Sequence, residues 1–159
     1  MIESDAPVEP TITRRVFGAW SVEIPATFAE TFVDGSYWNG YDDQRSVSLS
    51  SVLLTDADGP VSADRIVRQL PPLEGTVLDD LPPDLIGWAV TIETEPPAVA
   101  KRALSGMLAV DGRLLIATIT SNDPEWARRV WRSIRNHPTA RASRRDRRLA
   151  ARARSRRCD

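Results

Sequence analysis

The chain has 159 residues, 42% of them hydrophobic and 27% charged, with a formal net charge of −1. That is the composition of an ordinary globular domain with one core, and it excludes collagen-like, low-complexity and disulfide-stapled classes. Cys158 is the only cysteine, so neither an intrachain disulfide nor a cysteine metal cage can form. No stretch approaches the roughly 18 apolar residues of a membrane span, and no basic-then-apolar leader opens the chain, so a cytoplasmic setting is expected.

Residues 1–11, with Pro7 and Pro10 among acidic and small residues, read as a flexible leader. A single α+β domain is expected over residues 12–137. Trp20, Val22 and Ile24 alternate with Ser21 and Glu23 up to Pro25, which predicts a strand paired with a preceding one through a turn near Gly18. Proline lacks the N–H that a ladder needs, so the strand stops there. Residues 26–43 lack a clean period and concentrate Phe28, Phe32, Tyr37, Trp38 and Tyr41; they are expected to form an aromatic loop. From Arg45 to Leu54 the alternation returns, with Val47, Leu49 and Leu53 on one face and Ser46, Ser48 and Ser50 on a wet one.

Asp56-Ala57-Asp58-Gly59-Pro60 is turn chemistry, and Ser62 stands where a helix N-cap belongs, before Ile66, Val67 and Leu70. Pro71 and Pro72 end that helix. The stretch between them and Pro82-Pro83 reads as a polar excursion. A strand follows with Trp88, Val90 and Ile92 opposite Ala89, Thr91 and Glu93. Residues 101–110 and 113–120 flank Asp111-Gly112, which predicts a hairpin with a type I′ turn. Gly106, inside its first arm, predicts a bulge or a close backbone approach. Asp123-Pro124-Glu125 supplies a cap, a proline at the first helical position and a carboxylate at the positive dipole end. Ala127, Val130, Trp131 and Ile134 then line one face and Arg128, Arg129, Arg132 and Arg135 the other, an amphipathic helix running to His137 and Pro138.

Charge is divided along the chain. Residues 1–137 hold 12 Arg and Lys against 20 Asp and Glu, or −8, and residues 138–159 hold 9 Arg against 2 Asp, or +7. The second segment has little apolar content and reads as a disordered tail. Its Arg144, Arg145, Arg147, Arg148, Arg152, Arg154, Arg156 and Arg157 suit nucleic-acid phosphates or an anionic surface, while the lack of stacking aromatics among them argues against sequence-specific reading.

Reaction chemistry has little to stand on. The single histidine, His137, ends the last helix, where it suits the negative dipole end better than a catalytic triad. Lys101 reads as a surface group. Asp42-Asp43 and Asp79-Asp80 are adjacent carboxylates without the spacing of a calcium loop, and phosphate-loop, dinucleotide, nucleophile-elbow and zinc-helix motifs are absent. No cofactor or metal is expected. Tyr37, Trp38 and Tyr41 are the candidate partner-binding residues, since such rings recur at interface hot spots.

Three segments together, Trp20-Ser21-Val22-Glu23-Ile24-Pro25, the Asp111-Gly112 hairpin, and Asp123-Pro124-Glu125-Trp126 through Ser133-Ile134-Arg135, resemble the Mog1/PsbP-like family over roughly residues 13–136. The chain is similar to a small bacterial, actinobacterial-type member. The resemblance implies an antiparallel sheet with helices packed on it as an α/β/α sandwich. It also implies a non-enzymatic accessory or protein-interaction role, since one member binds a small GTPase and others attach to photosystems. The chain lacks the signal and lipobox cysteine of exported members, and no functional residue carries over. The rival expectation is a polyanion binder acting through the arginine tail.

Overall fold

Residues 8–94, 100 and 102–138 are described by the computed structural model. Along the chain run β1 (Thr11–Val16), β2 (Trp20–Pro25), β3 (Ala29–Val33), β4 (Tyr37–Tyr41), β5 (Ser46–Leu53), β6 (Thr55–Asp56), β7 (Gly59–Pro60), α1 (Ala63–Gln69), β8 (Thr76–Leu78), β9 (Ile86–Glu93), β10 (Arg102–Val110), β11 (Arg113–Thr120), α2 (Pro124–Ser133) and β12 (Arg135–Asn136). One seven-stranded antiparallel sheet in the order β3-β4-β5-β11-β10-β9-β8 dominates, beside a three-stranded sheet β1-β2-β12 and the small β6-β7 ladder.

Of the described residues 51% are strand and 14% helix, so an antiparallel sheet with helices packed on it is correct, but the molecule is more β than the expected α/β/α sandwich. The tail expected over 138–159, apart from Pro138, residues 1–7 of the leader expected over 1–11, and Lys101 lie outside the described residues, while Thr11 at the leader's end opens β1.

The unbroken register across the large sheet gives it two distinct faces. On the inner face Trp38, Val47, Leu49, Leu104, Leu108, Leu115, Ala117 and Ile119 meet Trp20, Val22 and Ile24 of β2 and Ala127, Val130 and Trp131 of α2 in one core. On the outer face α1 covers Met107, Ala109 and Leu114 with Ile66. Each helix therefore closes a different side of the sheet.

The helix starts follow the expected chemistry. Ser62 accepts a hydrogen bond from the Arg65 N–H, and Asp123 accepts from the Glu125 and Trp126 N–H groups ahead of Pro124. Gly106 answers the expectation of close approach rather than a bulge: the register continues through it, and an added Cβ would stand 2.5 Å from Cζ3 of the Trp131 ring. The Asp111-Gly112 hairpin forms, but Gly112 alone takes positive φ, +75°, so its turn is not the expected type I′, which requires positive φ at both residues.

Other expectations are corrected. Residues 29–41 are a hairpin rather than a loop, with Asp34 and Gly35 at φ of 55° and 66° turning β3 into β4. Residues 76–78 form an edge strand within the expected excursion. Leu53 is 70% exposed at the end of β5. The last helix stops at Ser133, and Arg135–Asn136 turns back to pair with β2.

Candidate functional site

Alternation along β4 divides the predicted aromatic trio. Tyr37 and Tyr41 point to the outer face and are 37% and 40% exposed, whereas Trp38 is fully buried in the core. Trp38 therefore cannot share a binding surface with the tyrosines; its Nε1 donates to Glu30 Oε1 at 3.0 Å. The correction is physical: adjacent strand residues face opposite ways.

The register assembles what surrounds the tyrosines. One row runs Val33, Tyr37, Ser50, Ile116 across β3, β4, β5 and β11, the next Thr31, Asn39, Ser48, Thr118, and the third Ala29, Tyr41, Ser46, Thr120. None of these residues is buried and none is charged. The polar side chains are tied together: the Tyr37 hydroxyl donates to Ser48 Oγ at 3.2 Å, and Ser48 Oγ donates to Asn39 Oδ1 at 2.9 Å. The result is a flat, neutral patch of hydroxyls with Val33, Tyr37, Tyr41 and Ile116 exposed on it. Exposed tyrosines and a lack of charge are features that interface centres share, whereas the serines and Ala29 of the patch are residue types depleted there.

A second cluster lies where β5 begins. Arg45 donates through Nη1 and Nη2 to the Glu9 carboxylate at 2.8 and 2.7 Å, and through Nε and Nη2 to Asp42 Oδ2 at 3.1 and 2.7 Å. Its Cζ lies 4.9 Å from the Trp126 ring centroid and 5.4 Å from that of Phe28. Hydrogen bonding from Arg45 holds the Glu9 carboxyl below its ordinary value against a smaller effect of burial. Burial pushes the Asp42 carboxyl up, but bonds from the Arg45 side chain and from the Gln44 and Arg45 N–H groups outweigh it, leaving it lowered. A polar cleft of about 600 Å³ runs from here to the start of α2, past Asp123 and Arg129. Arg45 is fully engaged with its two carboxylates, so this cluster reads as a clamp that fastens Glu9 to α2 and β5.

His137 is half-buried beside β12 rather than on a helix terminus, and its Nε2 lies 2.8 Å from Ser21 Oγ. Ser21 is 3% exposed, so its hydroxyl is closed to a substrate and the pair fastens β12 to β2. Sequence spacing could not have joined residues 116 positions apart. Asp43 is exposed beside the clamp, and the carbonyl of Asp80 accepts from Trp131 Nε1 at 2.8 Å. Among the described residues no group of three or more His, Cys, Asp or Glu side chains is arranged to hold a metal. The eight candidate tail arginines, Arg144 through Arg157, lie outside the described residues.

No family model matches the chain, and no curated protein matches it. Its fold is similar to that of a Bacteroides thetaiotaomicron protein of known crystal structure, with a TM-score of 0.53 and 7% identity over 78% of this chain and 47% of that one. The chain thus spans about half the length of that protein, and at this identity the likeness concerns fold alone. No helix among the described residues is long and apolar enough to cross a membrane.

Proposed function

We propose that the chain is a non-enzymatic protein-interaction domain whose contact surface is the neutral outer face around Tyr37, Ser48 and Tyr41. The observation that carries this reading is the absence of charge from every outward position of β3, β4, β5 and β11, in a chain where 27% of residues are charged. Tyr37 and Tyr41 offer contact area at low entropic cost, and the surrounding hydroxyls donate and accept. Membership of the Mog1/PsbP-like family and a cytoplasmic setting belong to the same proposal, the first supported by the helices on opposite sides of an antiparallel sheet.

The test places a charge at the centre of the patch. Ser48→Lys leaves the core untouched and should keep the wild-type melting temperature. Capture from crosslinked host lysate with the wild-type chain should recover a stoichiometric partner that Ser48→Lys loses; equal recovery by both, or none by either, refutes the reading.

The opposed charges of the body and the C-terminal segment favour a second reading, polyanion binding through the tail arginines. Affinity for a model duplex should then fall steeply with salt and vanish on truncation after Pro138.

A further inference from the structure

We propose that the outward fork of Arg45, together with Arg129, is a carboxylate-binding site that Glu9 fills as a tethered stand-in, and that a singly charged carboxylate ligand takes the site by displacing Glu9. This goes beyond the outer-face reading, because the site lies between the start of β5 and α2. The fork is built without help from Glu9. Asp42 Oδ1 accepts from the Gln44 and Arg45 N–H groups at 2.9 and 2.7 Å, and its Oδ2 accepts from Arg45 Nε and Nη2 at 3.1 and 2.7 Å, so a carboxylate fixed by the backbone holds the guanidinium from the side. The Trp126 and Phe28 rings lie against it. What remains is the end-on edge, Nη1 and Nη2, the pair of parallel donors that matches a carboxylate. Glu9 Oε2 and Oε1 occupy that edge at 2.8 and 2.7 Å.

The stand-in is weakly moored. Val8, Glu9 and Pro10 are all exposed, Val8 by 92%, so no buried apolar side chain fastens this stretch. Its backbone tie is the Pro10 carbonyl, which accepts from the Ala26 N–H at 2.9 Å; that tie lies on the β1 side of Glu9, so release of the carboxylate leaves β1 paired with β2. The cleft of about 600 Å³ beside the fork has room for a replacement. Arg129 lines it, is exposed, and makes no salt bridge among the described residues. Its charge already helps to hold the Glu9 carboxyl below its ordinary value. Asp43 and Asp123 line the same cleft and repel surplus negative charge, which selects a singly charged carboxylate over a polyanion. A group on a short tether competes at a millimolar effective concentration, so Glu9 keeps casual anions out and yields to a ligand that adds contacts in the cleft.

An NMR titration of the full chain, followed by its indole N–H signals, tests the site with N-acetylglycine as the probe. Glu9→Gln keeps the shape and removes the competing carboxylate, so it should bind N-acetylglycine with a millimolar dissociation constant, roughly tenfold tighter than the wild type. In that background Arg129→Gln should weaken binding severalfold and Arg45→Lys should abolish it, with circular dichroism spectra unchanged. Glu23→Gln, at an exposed position of β2, should leave the wild-type affinity as it is. Inorganic phosphate, more highly charged at neutral pH, should bind Glu9→Gln more weakly than N-acetylglycine does. A capped tripeptide with a central glutamate separates the sources of the carboxylate: tighter binding than N-acetylglycine assigns a peptide side chain, weaker binding a small free acid. No saturable shift in Glu9→Gln, equal affinity in Glu9→Gln and the wild type, binding that survives Arg45→Lys, or tighter binding of phosphate would each overturn the proposal.

Discussion

Replacing Gly106 with alanine adds one methyl group where the sheet and α2 come closest. The new Cβ would stand 2.5 Å from Trp131 Cζ3, nearer still to Cη2, and 3.0 Å from the Trp88 carbonyl oxygen. Ordinary carbon contacts lie near 3.5–4.0 Å, so roughly 1 Å must be recovered by movement. The ring cannot easily supply it, because Trp131 is fully buried and its Nε1 is anchored to the Asp80 carbonyl at 2.8 Å. Overpacking of this kind costs about 1–3 kcal/mol, and the immobile ring places this site toward the upper end. At a few °C per kcal/mol for a domain of this size, Gly106→Ala should lower the melting temperature by roughly 5–12 °C in a circular dichroism melt. A double-mutant cycle isolates the cause. Trp131→Phe removes the indole atoms that the methyl group would strike, so Gly106→Ala should cost far less in that background, with about 1 kcal/mol or more of coupling. A shift under 2 °C, or strictly additive losses, would show that Gly106 does not seat Trp131.

The fully buried indoles of Trp20 and Trp131 should respond unequally to phenylalanine. Trp20 Nε1 is buried without a partner among the described residues, whereas Trp131 Nε1 has a hydrogen bond to lose, so in urea denaturation Trp20→Phe should cost about 1 kcal/mol less than Trp131→Phe. Arg45→Ala should cost about 1–2 kcal/mol, a figure discounted because its partners are partly exposed. Arg45→Lys should rescue little of it, since an ammonium cannot reproduce the fork that spans Glu9 and Asp42. The clamp also sets a pH dependence. Glu9 and Asp42 have lowered pKa values when folded, so their stabilisation is complete above the ordinary carboxyl pKa of about 4 and disappears as pH falls through the lowered values. Between pH 5 and 3 the wild type should therefore lose more stability than Arg45→Ala, and parallel curves would contradict the clamp.

How much of this was legible depended on whether one face of an element stood out. The caps Ser62 and Asp123, the Asp111-Gly112 hairpin and the core faces of β2 and α2 could be read directly, because local hydrogen-bond chemistry and a one-sided apolar pattern agreed. The β3-β4 hairpin was hidden by its own composition. Phe32 and Trp38 lie on the inner parity and Val33, Tyr37 and Tyr41 on the outer one, so large apolar residues occupy both faces and no period of two emerges. Its turn, Asp34-Gly35, carries the same Asp-Gly signal that revealed the later hairpin. β12 was invisible for another reason: two residues have no periodicity, and their place is fixed by β2 and by the distant Ser21–His137 bond.

The neutrality of the outer face is not a by-product of strand propensity. Threonine, tyrosine and valine suit strands, and a sheet built for them alone would show few charges anywhere. The small sheet of the same chain does otherwise: Arg15 of β1, Glu23 of β2 and Arg135 of β12 stand exposed on strands. Strand backbone in this molecule therefore tolerates charge where it meets water. α2 likewise turns its arginines outward and keeps Trp126, Val130 and Trp131 inside. Charge is withheld from one surface only, the rows centred on Tyr37, Ser48 and Tyr41. A buried charge without a partner costs far more than an exposed one gains, so a surface that is intermittently covered is the place where charge carries a penalty. That asymmetry is the support for the proposed contact role of the outer face, and a lysine at Ser48 is the change that would test it most directly.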